Sequence, residues 1–250
     1  MAQGLDAAVH PWHHRPLADH YCYLILDGVS VRIRLVGHVQ RRVALCAYGI
    51  TTAGRRELID FLVVKGESED TWKRLLLDLH RRGLHGAALD LITPDGQQGL
   101  LNAVASVWPR AEHQRCWGHK RRNLENRLKA SQRACLEEAK LIYQAPHRQE
   151  ALQQFRRWQA RWQKVAPKAV AALAEDLEAL LAFYDCPSEH GKRLRSTNVI
   201  ERLFVEVRRR IRTMCAFTTP SSCDRILYSV FQRMNSYCDH RPLKAFTQNS

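Results

Sequence analysis

Three carboxylates stand where a fold could bring them together, namely Asp27, Asp95 and Glu201. Asp27 closes an apolar run, Asp95 lies just past another, and Glu201 lies on an amphipathic stretch. Carboxylates on two neighbouring strands and on a helix packed against them can hold two divalent cations roughly 3.5–4 Å apart, which stabilise the attacking and leaving oxygens of an in-line phosphoryl displacement. Oxygen ligands of this kind select Mg²⁺ or Mn²⁺ over Zn²⁺. From spacing alone, this metal site is one interpretation among several.

Two of these carboxylates also have purely structural interpretations. Asp27 precedes Gly28, and Asp-Gly between strand-like runs is a strong hairpin signal, so Asp27 could be a turn residue. Asp95 follows Pro94 and could cap the helix that comes next. Asp90 is a rival to Asp95, although it falls inside the apolar run rather than at its open end. The residues alone leave these alternatives open.

The third carboxylate belongs to a predicted helix. Ser196 or Thr197 can cap its N-terminus, and Asn198 and Glu201, three residues apart, share one of its faces. A carboxylate beside a buried stripe suggests a metal ligand, whereas an amphipathic helix with a solvated basic side explains the same pattern. The stripe consists of apolar residues at helical spacing: Ile200, Leu203, Phe204, Val207 and Ile211.

Composition favours a globular protein with a polyanionic partner. The chain has 250 residues, of which 45% are hydrophobic, enough for one well-buried domain or for a domain with a large insertion. Lys and Arg outnumber Asp and Glu by 39 to 25, so nucleic acid is a better candidate partner than an anionic membrane. We expect neither a transmembrane span nor a signal peptide. The eight cysteines are expected to be reduced and mostly buried, which favours the cytoplasm.

The first half of the chain predicts an α/β fold with a mixed sheet. Residues 1–20 show no periodicity, which indicates an irregular lead-in whose histidines form a polar linker rather than a metal site. An antiparallel meander should follow, because three strand-like runs are joined by short turns. Alternating elements after a meander favour helices on the faces of the sheet. The runs are 21–35, 42–50 and 57–64, and the alternating helix, strand, helix and strand are 68–83, 87–92, 95–109 and 111–116.

The second half is predicted to be helical. Residues 119–188 keep helical spacing between prolines, which predicts three or four helices inserted before the Glu201 helix. A final helix is predicted over residues 221–237, with buried residues at Ile226, Val230, Phe231 and Met234. The predicted division is a lead-in at 1–20, the first part of the core at 21–118, the insertion at 119–188 and the C-terminal helices of the core at 189–250.

Four motifs give the chain a resemblance to a known family. The block at 114–123, Gln-Arg-Cys-Trp-Gly-His-Lys-Arg-Arg-Asn, is the most specific of them. The others are Asp27-Gly28 within a strand, Pro-Asp-Gly-Gln-Gln-Gly-Leu at 94–100, and Leu-Arg-Ser-Thr-Asn-Val-Ile-Glu at 194–201. Over about residues 14–227 the sequence resembles Mutator-type insertion-sequence transposases.

The resemblance implies a fold and a chemistry. It implies an RNase H-like core interrupted by an all-helical insertion before the last catalytic helix. It also implies DDE chemistry with Asp27, Asp95 and Glu201 as catalytic residues and ligands of Mg²⁺, for which Mn²⁺ substitutes. The implied partners are double-stranded DNA, both transposon ends and target, and a second copy of the chain in a homodimer.

Cys116 and His119 match a Cys-x-x-His motif of that family. By itself this is half of a zinc site, because structural zinc normally takes four ligands and no second Cys or His pair stands at suitable spacing. The pattern therefore favours a structural role near the active site, although His119 could touch DNA or a catalytic water. Asn198 and Arg202 are predicted to support the site.

Two basic runs are predicted to meet DNA phosphates. A single arginine run is usually a solvated face, but here two runs flank the proposed active-site elements in a chain of net charge +14. Arg202 is predicted to bind DNA as well. The runs are Lys120, Arg121 and Arg122, and Arg208, Arg209 and Arg210.

The leading hypothesis is the catalytic core of a DDE transposase. It would carry out metal-dependent hydrolysis that frees a 3′-hydroxyl, followed by transesterification into target DNA. Family members usually begin with a further region that binds the element's ends, and this sequence starts near the expected core. A truncated, non-catalytic DNA-binding remnant, or an inhibitor of a full-length transposase, is therefore the alternative. A general RNase H-type nuclease fits the chemistry but not the Cys-x-x-His block or the insertion.

Overall fold

The computed structural model describes residues 2–212 and 214–243, with side chains from residue 7 onward. The five strands are β1 (Tyr21–Leu35), β2 (His38–Thr51), β3 (Arg56–Val64), β4 (Leu91–Pro94) and β5 (Glu112–His113). The helices up to the insertion are α1 (Ala2–His14), α2 (Glu69–Arg81) and α3 (Gln98–Val107). The next are α4 (Trp117–Glu125), α5 (Arg133–Glu138), α6 (Lys140–Gln144), α7 (Arg148–Trp162), α8 (Pro167–Glu175) and α9 (Leu177–Leu181). The last are α10 (Gly191–Leu194), α11 (Asn198–Arg212) and α12 (Pro220–Asp239).

The strands form one mixed sheet in the order β3-β2-β1-β4-β5. β1 pairs antiparallel with β2, and β2 with β3, whereas β4 runs parallel to β1 and β5 parallel to β4. The predicted α/β architecture, an antiparallel meander followed by alternating helices and strands, is therefore confirmed. β1 is the central strand, and β4 is its parallel neighbour.

β1 continues without a turn through Asp27-Gly28. Asp27 is paired with Cys46 of β2 in the middle of the hairpin. The turn itself lies at Val36 and Gly37, whose φ angles of 48° and 79° are both positive, as a tight hairpin turn between twisted strands requires. The interpretation of Asp27 as a turn residue is therefore wrong.

Side chains of β1 alternate between two hydrophobic cores. Leu24 and Leu26 pack with α2 and α3 on one face of the sheet. Tyr23 and Ile25 belong to the core on the other face, which includes α11, α12 and the inserted helices. Because alternate residues of a strand point to opposite faces, this one strand connects both layers. Helices thus cover both faces, as the sequence predicts.

α2 shows how local sequence fixes one of these layers. The Ser68 hydroxyl accepts a hydrogen bond from the Thr71 amide, and the Thr71 hydroxyl accepts one from the Ser68 amide, which is a capping box. Gly83, with φ of 120°, follows the last turn, where a left-handed residue ends many helices. The residues buried on its inner face are the predicted ones: Trp72, Leu75, Leu76 and Leu79.

The predicted irregular lead-in is wrong, because α1 occupies most of residues 1–20. Trp12 is buried against Phe61 and Tyr228, and His13 Nδ1 lies 2.6 Å from Asp60 Oδ1. These contacts stabilise a helix that contains a proline and has little periodicity of its own, since tertiary packing overrides weak propensity. His13 therefore serves as a side-chain contact to the sheet rather than as part of a linker.

Two strand boundaries also differ from prediction. The strand expected at 87–92 begins only at Leu91, because the Asp19 carboxylate accepts hydrogen bonds from the Gly86 and Ala87 amides and turns the chain there. The strand expected at 111–116 is reduced to the two residues of β5. Of the two predicted strands, the one at 111–116 has mostly polar side chains, and it loses the most residues.

The insertion contains more helices than predicted. Six helices, α4 to α9, replace the expected three or four, because breaks at Ala139 and Asp176 have no proline or glycine to mark them. Gln114 fixes the end of the insertion to the sheet: its side-chain amide donates to the Leu180 carbonyl and accepts from the Phe183 amide. One hydrophobic cluster runs from the sheet into these helices.

The C-terminal helices agree with prediction in place and in face. α11 buries Ile200, Leu203, Phe204 and Val207, while Ile211 is half-buried. α12 extends one residue before and two after its predicted range, and its buried face includes Val230 and Phe231, with Ile226 and Met234 half-buried. All eight cysteines are unpaired and six are buried, as predicted. Within the described residues, no helix has both the length and the apolar character to cross a membrane.

Candidate active site

Asp27 is buried in the centre of the sheet without full hydrogen bonding. Its side chain is almost fully shielded, with the residue 4% exposed. Oδ1 accepts from the Gly28 amide at 2.8 Å, but among the described residues Oδ2 forms no hydrogen bond. Burial raises the pKa of this carboxyl to about 7; the charge of His119 lowers it and that of Asp95 raises it. A hydrogen bond from the Thr197 side chain also lowers the pKa of Asp27, so its burial is only partly compensated.

Asp95 lies beside Asp27 at the end of the neighbouring strand. Leu26 is paired with Pro94, and the Asp95 amide donates to the Leu26 carbonyl at 3.0 Å. α3 starts only at Gln98 with Gln97 at its N-cap, so Asp95 does not cap it. The rival carboxylate Asp90 is exposed at the opposite end of β4. The structure therefore favours Asp95 over Asp90 as the partner of Asp27.

Glu201 reaches the same place from α11. Its amide donates to the Thr197 carbonyl, which places Thr197 at the N-cap position and Glu201 in the first turn. Ligand atoms of Asp27, His119 and Glu201 all lie within 4.8 Å of one another. Asp95 joins this group through His119, whose Nδ1 lies 3.3 Å from Asp95 Oδ1. The fold thus gathers all three sequence-predicted carboxylates around one histidine.

Cys116 and His119 flank the first turn of α4. The buried Cys116 Sγ accepts a hydrogen bond from the Thr197 amide at 3.2 Å and lies 3.4 Å from the Thr197 hydroxyl. The Trp117 amide donates to the Arg195 carbonyl. These contacts join α4 to the start of α11 and so fix the position of Glu201. Through Cys116 and Trp117 the motif therefore joins the start of α4 to the start of α11.

The charge of His119 follows from its neighbours. Burial by itself lowers the pKa of the imidazole, but Cys116, Asp95 and Asp27 outweigh it and raise the pKa to about 9. Burial acts to raise the pKa of the Cys116 thiol, but hydrogen bonding and attraction from His119 outweigh it, so the pKa falls below its ordinary value. Nδ1 faces Asp95 at short distance without the alignment of a hydrogen bond. An imidazolium at this position offsets part of the negative charge of the carboxylates.

A further carboxylate, Glu67, packs against β1 at Gly28, whose Cβ direction is opposite to that of Asp27. Glu67 Oε1 lies 2.8 Å from the place that a Cβ on Gly28 would take, and Glu67 Oε2 is buried without a hydrogen-bond partner among the described residues. Burial is the largest cause that raises the pKa of Glu67, followed by the charge of Asp95, while His119 lowers it. No sequence signal marked it, because it stands in a loop just before a helix cap.

Two of the predicted DNA-binding arginines lie on the exposed side of Glu201. Arg122 Nη2 is 3.6 Å from Glu201 Oε1, and Arg208 Nη2 is 3.1 Å from Glu201 Oε2. Both arginines are well exposed, at 62% and 49% of their side chains. They define a basic rim around the site, which we call the arginine rim.

The other predicted cations fall into two groups. Arg202, Arg209 and Arg210 are exposed on α11, the last two beside Glu206, and Arg121 on α4 pairs with Glu137. Lys120, in contrast, is 7% exposed and bonds to Asp176, which also binds Arg115 at 2.6 Å. It points inward because it falls on the same face of α4 as Trp117 and Leu124. The prediction that Lys120 lies on the DNA-facing surface is therefore wrong.

Asn198 stands at the first residue of α11, three residues before Glu201, and is exposed. Its Oδ1 lies 3.7 Å from the place that a Cβ on Gly118 would take, so it reaches the first turn of α4. Of the predicted supporting residues, His119 lies within 4.8 Å of ligand atoms of Asp27 and Glu201, and Asn198 lies on the helix that carries Glu201.

The donor set fits a divalent cation. Carboxylate oxygens are the ligands that Mg²⁺ and Mn²⁺ prefer, and Asp27 Oδ2 is buried without a hydrogen bond of normal geometry among the described residues. The Asp27, His119 and Glu201 group is also the one cluster of potential ligand atoms found in the described parts of the chain. His119 contributes a ring nitrogen to this cluster, and the negative groups around it raise the pKa of its imidazole, so without a metal it balances part of their charge.

Comparison with known proteins identifies the family. A sequence model of the Mutator family of transposases matches residues 1–239. The chain is 34% identical over 224 residues to the transposase for insertion sequence element ISRM5 of Rhizobium meliloti, covering 89% of this chain and 56% of that relative. It is 31% identical over 249 residues to the IS905 transposase of Lactococcus lactis, covering 99% of this chain and 63% of that relative. The chain therefore belongs to the Mutator family of transposases.

A third relative is similar over a shorter region. The transposase for IS6120 of Mycolicibacterium smegmatis is 37% identical over 194 residues, covering 77% of this chain and 59% of the relative. The chain thus spans about three fifths of the length of the curated relatives that it matches.

Proposed function

We propose that the chain is the catalytic core of an insertion-sequence transposase that cleaves a DNA strand and joins its end to target DNA. The observation that carries this proposal is the convergence of Asp27 and Glu201 within 4.8 Å, with Asp95 next to His119, in a member of a transposase family. An RNase H-like fold is part of the proposal. It is supported by the strand order, with one carboxylate on the central strand and another at the end of its parallel neighbour.

The proposed chemistry is a pair of in-line displacements at phosphorus. Asp27, Asp95 and Glu201 would hold Mg²⁺ or Mn²⁺, which would supply charge stabilisation for the attacking and leaving oxygens. In the first step, water attacks the scissile phosphorus, the bond to the 3′ oxygen breaks and that oxygen leaves as a 3′-hydroxyl. In the second step, this hydroxyl attacks a phosphodiester of the target, forming one P–O bond while another breaks.

The protein's own groups order this reaction. Asp27 is fixed in the rigid centre of the sheet and Glu201 on a helix packed against it, so both keep their positions when DNA binds. His119 faces Asp95 and limits the repulsion between neighbouring carboxylates. Cys116 acts indirectly, because it connects α4 to the residue that precedes α11.

DNA binding is proposed for the exposed cations. The arginine rim, Arg122 and Arg208, would hold the phosphates next to the scissile bond, and Arg121, Arg202, Arg209 and Arg210 would contact phosphates farther along. Such contacts give affinity that salt weakens, without reading sequence. Double-stranded DNA at the element's ends and at the target, and assembly as a homodimer, complete the proposal. The division of the rest of the chain made from the sequence, into a first part of the core, a helical insertion and C-terminal core helices, remains part of it.

The alternative of a non-catalytic remnant has less support, because the site retains each carboxylate that the chemistry needs. The two hypotheses separate in one experiment. Glu201→Gln should abolish strand cleavage on supercoiled DNA in Mn²⁺ while DNA binding at matched salt stays within about twofold, because one charge on the exposed side changes little of the phosphate contact. Gel-shift titration and cleavage on the same preparation provide the readouts, with Glu206→Gln as a control on the same helix. Equal cleavage by Glu201→Gln and the parent would contradict the proposal.

A further inference from the structure

The hairpin formed by β1 and β2 carries arginines without any acidic residue among them. No Asp or Glu stands between Asp27 and Glu57, whereas six arginines do. Three of these arginines, Arg32, Arg34 and Arg41, are exposed to solvent in the outer half of the hairpin. They form no basic run in the sequence, because Arg32 and Arg34 alternate with buried apolar residues of β1.

The three arginines lie on one face of the hairpin. Arg32 is paired directly with Arg41, and directly opposed residues of an antiparallel pair point to the same face. Arg34 lies two residues after Arg32 and therefore shares this face. The Arg41 Nε donates to the Ser30 hydroxyl at 2.8 Å, which holds its side chain along the same surface. We call this surface of Ser30, Arg32, Arg34 and Arg41 the hairpin face.

The positive charge of the hairpin face is not compensated within the described residues. None of its three arginines forms an ion pair there. Because like charges directly opposite each other destabilise an antiparallel pair, Arg32 and Arg41 repel each other. Arg42, on the other face of β2, instead donates to the Gln40 side chain at 2.6 Å and to the Arg41 carbonyl at 3.1 Å. A polyanion bound to the hairpin face would relieve the repulsion.

The hairpin face is separate from the arginine rim. β1 pairs with β4 only as far as Pro94 and then continues, so the hairpin extends beyond the edge of the sheet at which Asp95 lies. Its arginines alternate in phase with Leu26, which packs on the side of α2 and α3, whereas α11 packs on the other side. Arg32 is five residues from Asp27, or roughly 17 Å along the strand. A single phosphate therefore cannot contact both surfaces.

We propose that the hairpin face is a second DNA-binding surface, which contacts the phosphate backbone of duplex DNA without reading its sequence. This inference rests on the proposed function, because duplex DNA is the polyanion on which that function acts, and membership of a transposase family favours DNA over an acidic protein. Guanidinium groups suit phosphates because they form charge-assisted, bidentate hydrogen bonds. Duplex DNA carries one negative charge per about 1.7 Å of its axis, so a row of arginines can contact several phosphates at once.

The test is plasmid binding without metal, measured by filter binding across a salt series. Arg32→Gln, Arg34→Gln and Arg41→Gln together should reduce the slope of log affinity against log salt by about 2–3, because three phosphate contacts are lost. Arg42→Gln is the matched control on the opposite face of the same hairpin and should keep the slope of the parent. Adding Arg122→Gln to the triple variant should reduce the slope by about 1 more, because contacts on two separate surfaces add.

Thermal unfolding without DNA is the second readout. The triple variant should melt at the temperature of the parent or higher, because the repulsion between Arg32 and Arg41 is removed. A slope equal to that of the parent would overturn the inference, as would an equal fall in slope for Arg42→Gln. A melting temperature several degrees lower would also overturn it, because a disturbed fold would then explain the lost binding.

Failure of the proposed function is measured separately, by nicking of plasmid in Mn²⁺ by the parent. A parent that nicks plasmid, beside a triple variant with an unchanged slope, would refute the inference alone. A parent that binds plasmid through the hairpin face but never nicks it would refute the proposed catalysis and leave this DNA contact standing.

Discussion

Two buried aspartates of the same sheet, Asp60 on β3 and Asp27 on β1, show how similar burial serves different ends. Asp60 is 2% exposed and Asp27 is 4% exposed. Asp60 Oδ1 accepts from the Phe61 amide at 2.7 Å and lies 2.6 Å from His13, while its Oδ2 binds Arg82. Asp27, by contrast, has one carboxylate oxygen with no hydrogen bond among the described residues.

This difference separates a buried carboxylate with a structural role from one with a functional role. The partners of Asp60 come from α1 and from the end of α2, so its hydrogen bonds hold those elements to the edge of the sheet. The neighbours of Asp27 are charged groups from α4, β4 and α11, and they leave it unsatisfied. A satisfied carboxylate stabilises the fold, whereas an unsatisfied one costs stability, as expected of a carboxylate that belongs to the proposed metal site.

The largest expected effect on stability comes from replacing Asp60, the aspartate whose two carboxylate oxygens both have partners. Asp60→Asn should lower the free energy of unfolding by about 3–5 kcal/mol, because Arg82, which is 9% exposed, would keep its charge in a buried place without its main counter-ion. Urea unfolding of the metal-free protein measures it. Asp78→Asn, which removes the more exposed of the two acidic partners of Arg82, is the control and should cost much less. A loss below about 1 kcal/mol in Asp60→Asn would break the comparison.

At Asp27 we expect a substitution to raise, rather than lower, the free energy of unfolding. Because burial raises its pKa to about 7, the folded state holds a proton that the unfolded state releases near pH 4. The metal-free fold therefore loses stability as pH rises from about 4 to 7, and Asp27→Asn should be more stable than the parent by roughly 1–3 kcal/mol at pH 8 and about equal near pH 4. Urea titrations at the two pH values measure the difference. A variant less stable than the parent at pH 8 would argue for a structural role.

The basic residues also divide into a buried, paired one and exposed ones, and replacing one of them should change DNA affinity by a smaller amount. Arg122→Gln should weaken plasmid binding and reduce the slope of log affinity against log salt by about 1, because one phosphate contact is lost. Lys120→Gln should leave that slope unchanged, because Lys120 is buried against Asp176. Filter binding across a salt series gives both slopes. A lower slope for Lys120→Gln but not for Arg122→Gln would reverse our assignment.

Much of the fold was predictable because its signals are local. The meander follows from alternating strand residues, α2 from Ser68 and its apolar face, and α11 from a stripe of helical period. α1 was not predictable, because Trp12 and His13 gain their stability from residues far along the chain. The number of inserted helices was underestimated, since breaks such as Ala139 lack a proline or glycine signal.

The candidate site was predictable where a motif marked it and not elsewhere. Asp27, Asp95 and Glu201 stand at positions that the spacing and the family resemblance indicated, and the fold brings them to one place. Lys120 was misassigned by charge, although its spacing from Trp117 and Leu124 already indicated a buried face.

The central claim is that Asp95 and its neighbouring carboxylates form a metal-dependent strand-cleaving site. The most direct measurement is nicking of supercoiled plasmid by the purified chain in Mn²⁺, beside Asp95→Asn and Asp90→Asn prepared identically. Plasmid requires no knowledge of the element's ends, and Asp90, at the exposed opposite end of β4, is the matched control. We predict nicking by the parent and by Asp90→Asn but not by Asp95→Asn. Equal nicking by all three, or none by the parent while it still binds plasmid in a salt-sensitive manner, would contradict the account.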